Sequence, residues 1–107
     1  YAAKYLDASG ADANIPAPLT SKQTAVAQSL ARAAFRELCA DDLARVDLFL
    51  DDKGEFWVNE INTMPGFTAI SMFPKLMEAS GVPARELVTR LIEMALERAR
   101  RKQARSP

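Results

Sequence analysis

Four polar side chains stand out by their spacing. Glu60 and Asn62 lie two residues apart at the polar end of the apolar run WVNEIN, and Arg45 and Asp47 lie two apart at the head of ARVDLFL. Residues two apart on a strand share a face, so each pair points one way. Two carboxylates, a carboxamide and a guanidinium on one patch are oxygen donors plus a fixed cation. Clustered Asp, Glu and Asn oxygens repel one another unless a cation sits between them. Mg²⁺ or Mn²⁺ is the fitting class, since it takes a few carboxylates plus substrate phosphates, and arginine is the usual partner of a phosphoryl group in transfer. A salt bridge on a solvated sheet face is the plainer alternative.

Composition narrows the chemistry further. The 107 residues hold no His, which removes Ser-His and Cys-His catalysis and any His-ligated metal from within this chain. A single Cys, Cys39, forms no internal disulfide and fits a reducing cytoplasm. Fourteen basic residues balance fourteen acidic ones, so no general polyanion binder is expected, and the basic run at 97–106 reads as the end of a helix rather than a nucleic-acid tail. No apolar stretch is long enough to cross a bilayer. The length suits one small domain, and a chain opening on Tyr1 reads as a piece of something longer.

The elements that must position these side chains follow from periodicity. Residues 1–20 contain Gly10, Pro16 and Pro18 with little pattern, and read as a lid-like loop. A helix is expected from an N-cap at Ser21 to about Cys39, with Val26, Leu30, Ala34 and Leu38 along one side. Strands over 44–50 and 55–61 flank DDKG, which reads as a hairpin turn with Gly54 closing it. A short helix over 73–80 stops at Gly81, and Pro83 opens a last helix from 84 to about 102 with Leu87, Leu91 and Ala95 inward. A two-residue turn at Asp52–Lys53 would pair Arg45 with Glu60 and Asp47 with Val58, so that Arg45, Asp47 and Glu60 share a face while Trp57 and Ile61 take the other. A bulge would shift that register.

The stretch ARVDLFLDDKGEFWVNEINTMPGFTAISMFPKLMEASG resembles the C-terminal part of D-alanine–D-alanine ligases of the ATP-grasp superfamily, and YAAKYL at 1–6 resembles the same family. The likeness runs from Tyr1 to about Arg98 and rests on several spaced polar residues matching together. It implies an α+β fold, the C-terminal part of an ATP-grasp domain, with an antiparallel hairpin packed against helices. Residues 1–20 would be a mobile lid, and 21–107 the C-terminal subdomain.

The resemblance also implies roles. Asp47 and Glu60 would hold one Mg²⁺ or Mn²⁺, and Glu60 with Asn62 a second. Arg45 would steady the transferring phosphoryl group, and Lys4 would reach the terminal phosphate of ATP. The Gly66 backbone N–H would be an oxyanion donor, and Ser71 with the Met72 backbone would cradle the carboxylate of the second D-alanine. Tyr5 would close over the first. The implied activity is ATP-dependent joining of two D-alanines through an acyl phosphate, for peptidoglycan precursors, in a cytoplasmic enzyme that is a homodimer when complete. Ligases making D-Ala–D-lactate or D-Ala–D-Ser, and a non-catalytic ATP-grasp remnant, are the alternatives. Because the family's N-terminal parts are missing, the chain alone is expected to bind ATP poorly and to make no dipeptide.

Overall fold

The computed structural model describes residues 14–106. Helix α1 (Ser21–Glu37) leads into a hairpin of β1 (Arg45–Leu50) and β2 (Phe56–Asn62), followed by helix α2 (Met72–Ala79) and the long helix α3 (Ala84–Arg105). The class is α+β, with one two-stranded antiparallel sheet among the described residues. Helix α1 lies against both strands, and α2 packs on α3.

Local chemistry sets the boundaries. The N-cap of α1 is Thr20 rather than Ser21: its hydroxyl accepts from the Gln23 N–H at 3.2 Å, while the Gln23 side chain accepts from the Thr20 N–H at 2.9 Å. This reciprocal box satisfies two N–H groups that the first turn leaves without partners. At the other end Cys39, at φ 51°, takes the left-handed position that usually calls for glycine. The Ala40 N–H reaches Phe35 O and the Cys39 N–H reaches Arg36 O, both at 3.0 Å, which closes the helix. Gly81, at φ 87°, ends α2 in the same way, with the Val82 N–H on Met77 O at 2.9 Å.

The core is small. Phe73 of α2 (7% exposed) and Leu87 of α3 (3%) form the buried hydrophobic core, where α2 meets α3. Leu91 and Met94 are half-buried beside them, whereas Ala95, expected inward, is exposed. Val26 of α1 and Leu38 at its C-cap are also exposed, and Leu30, Ala34 and Phe35 carry the helix's packing face. A row of apolar side chains on α3, Val88, Ile92 and Leu96, faces outward.

The hairpin register departs from the two-residue turn expected of DDKG. Asp51 and Glu55 bracket a three-residue loop: the Asp51 N–H bonds Glu55 O at 3.0 Å, and the Gly54 N–H bonds Asp51 O at 3.1 Å with Gly54 at φ 83°. This is a three-residue hairpin loop closed by a left-handed glycine. The pairs next to it are accordingly Leu50–Phe56, Phe49–Trp57 and Leu48–Val58. Continued unchanged, that register would set Asp47 opposite Asn59 and turn Glu60 to the face of Val46. It does not continue. A bulge leaves Asn59 without a partner, and the ladder resumes as Asp47–Glu60, Val46–Ile61 and Arg45–Asn62.

Candidate active site at the end of the hairpin

The bulge assembles the site. A one-residue slip moves a strand's side chains to the opposite face, and two successive slips restore the original one. The three-residue loop makes the first slip and Asn59 the second. Glu60 therefore faces Asp47, and Asn62 faces Arg45. The convergence expected from the simple register is present, reached by different pairs. Three expectations are corrected by the same geometry: Arg45 pairs with Asn62 rather than Glu60, Val58 pairs with Leu48 rather than Asp47, and Trp57 shares the face of Glu60 instead of opposing it.

Arg45 organises the patch. Its Nε donates to Asp47 Oδ1 at 2.8 Å and its Nη2 to Asp47 Oδ2 at 2.9 Å, a two-pronged pair. Nη2 also donates to Glu60 Oε1 at 3.3 Å. The salt bridge of the plainer reading is thus present, with both carboxylates as partners. Arg45 is more enclosed than either carboxylate, its side chain 19% exposed against 36% for Asp47 and 54% for Glu60. The hydrogen bond to Asp47 raises the guanidinium's pKa above its ordinary value, against a smaller desolvation that lowers it. Asn62 is held by its own loop, its Oδ1 accepting from the Met64 N–H at 3.0 Å.

The donor set suits a hard divalent cation. It offers two carboxylates that are direct cross-strand partners and an amide oxygen, with no nitrogen or sulfur donor. Among the described residues no group of three or more His, Cys, Asp and Glu gathers, so a cation here would draw its remaining ligands from Asn62, solvent or a bound phosphate.

The second half of the site is the loop between β2 and α2. Ser71 stands at the N-cap of α2, yet its side chain makes no capping bond there. Its Oγ instead accepts from the Thr68 N–H at 2.9 Å and lies 2.7 Å from Thr68 Oγ1. The Ser71 hydroxyl is thus held by Thr68 and not by the helix it precedes. Gly66 lies against the same hydroxyl, since a Cβ added there would sit 2.8 Å from Ser71 Oγ. The close approach that needs glycine at 66 is therefore to Ser71. Pro65 is buried beside it, and Phe67 tilts against Phe73 at 5.7 Å between ring centroids, tying the loop to the core. Lys4 and Tyr5 lie outside the described residues, as does most of the lid segment expected over 1–20.

One feature of the site was not read from the sequence. Phe49 and Trp57 are cross-strand partners on the face that carries Asp47 and Glu60, and both are largely exposed, at 61% and 57%. The Trp57 indole N–H donates to Asp51 Oδ2 at 2.9 Å, which pins the ring. A three-residue reading of DDKG, with Gly54 as the left-handed third residue, would have put this pair in register.

An α+β module whose hairpin ends in oxygen donors around one arginine is the C-terminal part of an ATP-grasp fold. The chain belongs to the family described as D-ala D-ala ligase C-terminus, whose model matches residues 1–93. It is 55% identical over 105 residues to D-alanine–D-alanine ligase A of Bradyrhizobium diazoefficiens, covering 97% of this chain and 28% of that protein. Against the D-alanine–D-alanine ligase of Oceanobacillus iheyensis it is 53% identical over 103 residues, covering 96% and 28%. Among solved structures, the D-alanine–D-alanine ligase of Coxiella burnetii is similar with a TM-score of 0.78 and 44% identity, over 79% of this chain and 25% of that one. That of Bacillus anthracis gives 0.72 and 31%, over 81% and 28%. The chain spans little more than a quarter of the length of these relatives.

Proposed function

We propose that this chain is the catalytic C-terminal segment of an ATP-dependent D-alanine–D-alanine ligase, which makes the dipeptide used in peptidoglycan precursors. The observation that carries the reading is the bulged hairpin end, where Asp47, Glu60 and Asn62 meet around Arg45 in a chain of this family. The carboxylate of one D-alanine attacks the γ-phosphorus of ATP, forming an acyl phosphate and releasing ADP. The amine of a second D-alanine attacks the acyl carbon, and phosphate leaves. Asp47, Glu60 and Asn62 would hold two Mg²⁺ or Mn²⁺ ions, with Glu60 shared. Bound there, the ions supply neutralisation of charge on the phosphoryl oxygens.

The chain's own side chains do the remaining work. Arg45 steadies the phosphoryl group with a fork that matches its geometry. Phe49 and Trp57 offer a flat apolar surface on the same face for the nucleotide base, about two residues' rise from the carboxylates. The Gly66 N–H faces the oxyanion of the tetrahedral intermediate, and Ser71 with the first N–H groups of α2 receives the carboxylate of the second D-alanine. Residues 1–20, with Lys4 on the terminal phosphate and Tyr5 over the first amino acid, form part of a lid that keeps water from the acyl phosphate, while 21–107 form the subdomain beneath it. Exposed apolar side chains away from the site face, such as Val88, Ile92 and Leu96 of α3, are surfaces for the rest of a longer enzyme, which acts in the cytoplasm as a homodimer.

The test is product analysis with the complete ligase that carries this segment. Supplied with ATP, Mg²⁺ and D-alanine together with D-lactate or D-serine, it is expected to yield the D-Ala–D-Ala dipeptide at neutral pH. A depsipeptide as the main product between pH 6 and 8 would reassign the acceptor. Absence of D-alanine-dependent ADP release would remove the ligase assignment.

A further inference from the structure

At the hairpin end one guanidinium faces both anions. Arg45 takes an oxygen pair on Asp47 at 2.8 and 2.9 Å and reaches Glu60 at 3.3 Å with the same Nη2. The two-pronged bond uses the lone pairs on the inner side of the Asp47 carboxylate, and the fork's charge repels any cation that approaches them. A divalent cation that takes Asp47 and Glu60 by these same oxygens competes with the fork for them.

We propose that Arg45 is a placeholder cation, displaced from Asp47 when the divalent ion loads and thereby released to face the phosphoryl group. The proposal rests on the reading of Asp47, Glu60 and Asn62 as cation ligands and adds a regulation of that site. It follows that ion and nucleotide bind cooperatively. An ion arriving alone strands the guanidinium, whereas ion and phosphate together give it new oxygen partners. Coupling of this kind is reciprocal, so nucleotide tightens the ion by the factor by which the ion tightens nucleotide. Without an ion the same fork neutralises two carboxylates that would otherwise repel across the strands.

The experiment is a Mn²⁺ titration of the complete ligase, followed by electron paramagnetic resonance without nucleotide at fixed pH and salt. Wild type is compared with Arg45→Lys, Arg45→Met and Glu60→Gln, each with its thermal unfolding recorded. Lysine keeps the charge and loses the fork. Competition by the fork predicts that Arg45→Lys binds Mn²⁺ about fivefold more tightly than wild type, the worth of one partly exposed ion pair, and Arg45→Met at least as tightly. If Arg45→Lys matches wild type while Arg45→Met tightens, Arg45 acts only by charge and the placeholder is refuted. Weaker binding in both variants also refutes it, by making Arg45 a support of the ligands. Glu60→Gln reports separately: unchanged Mn²⁺ affinity there overturns the cation-site reading itself, whatever the arginine variants do.

Discussion

Replacing Gly66 with alanine probes the loop where the site meets α2. Gly66 is outside the left-handed region, so its backbone accepts a side chain and the penalty is one of space. The new methyl would sit 2.8 Å from Ser71 Oγ but at an ordinary 3.5 Å from Ser71 Cβ. Relief therefore requires the hydroxyl to swing away from the Thr68 N–H and Oγ1, which it now meets at 2.9 and 2.7 Å. Two hydrogen bonds at a net 0.5–1.5 kcal/mol each give a loss of about 1–3 kcal/mol. The lower unfolded-state entropy of alanine offsets roughly 0.4–1 kcal/mol of it. Gly66→Ala is thus expected to destabilise by about 1–2 kcal/mol. In a Ser71→Ala background the obstacle is gone, so the same change should be neutral or slightly stabilising. Urea unfolding of the four proteins of this cycle measures the coupling, expected at about 1–3 kcal/mol. The single variant should also raise KM for the acceptor D-alanine. An equal cost of Gly66→Ala in both backgrounds, within about 0.5 kcal/mol, refutes the crowding argument.

Two further outcomes follow from the hairpin. Phe49→Ala should raise KM for ATP roughly tenfold, as loss of an aromatic stacking surface commonly does, and leave KM for D-alanine near wild type; steady-state kinetics with each substrate varied shows which moves. Asp51 is held below the ordinary carboxylate value of 3.8 chiefly by the Trp57 N–H, with the N–H groups of Glu55, Lys53 and Gly54 adding to it. A carboxylate depressed in the folded state contributes stability that is fully present above the unfolded pKa and lost as pH falls through the lower, folded value. The Trp57 indole N–H resonance should therefore titrate at a lower pH than an ordinary aspartate carboxylate would give, whereas in Asp51→Asn it should not titrate.

What could be read from the sequence depended on which contacts are local. Helix ends legible from Gly81 and Pro83 were near their places, because such stops act within a few residues. Cys39 in a left-handed cap was not legible, since its residue type gives no reason for it. The convergence of Arg45, Asp47 and Glu60 was foreseen from alternation alone, but through the wrong partners. Alternation reports parity, and two one-residue slips leave parity unchanged between β1 and the end of β2. Between the slips parity is reversed, which is why Trp57 was assigned to the wrong face and the aromatic surface beside the site escaped notice. Exposure of Val26 and Leu38 was missed for a different reason. Helical periodicity marks an apolar stripe without saying whether this segment supplies the surface that covers it.

The most direct test of the account is D-alanine-dependent ADP release by the complete ligase with Glu60→Gln. This change keeps the shape and the cross-strand place opposite Asp47 while removing one charge from the proposed shared cation ligand. The expected result is a fall in kcat of at least about 100-fold, the scale for losing one preorganised electrostatic partner of a transition state, with unfolding unchanged. Turnover within a few-fold of wild type would contradict it.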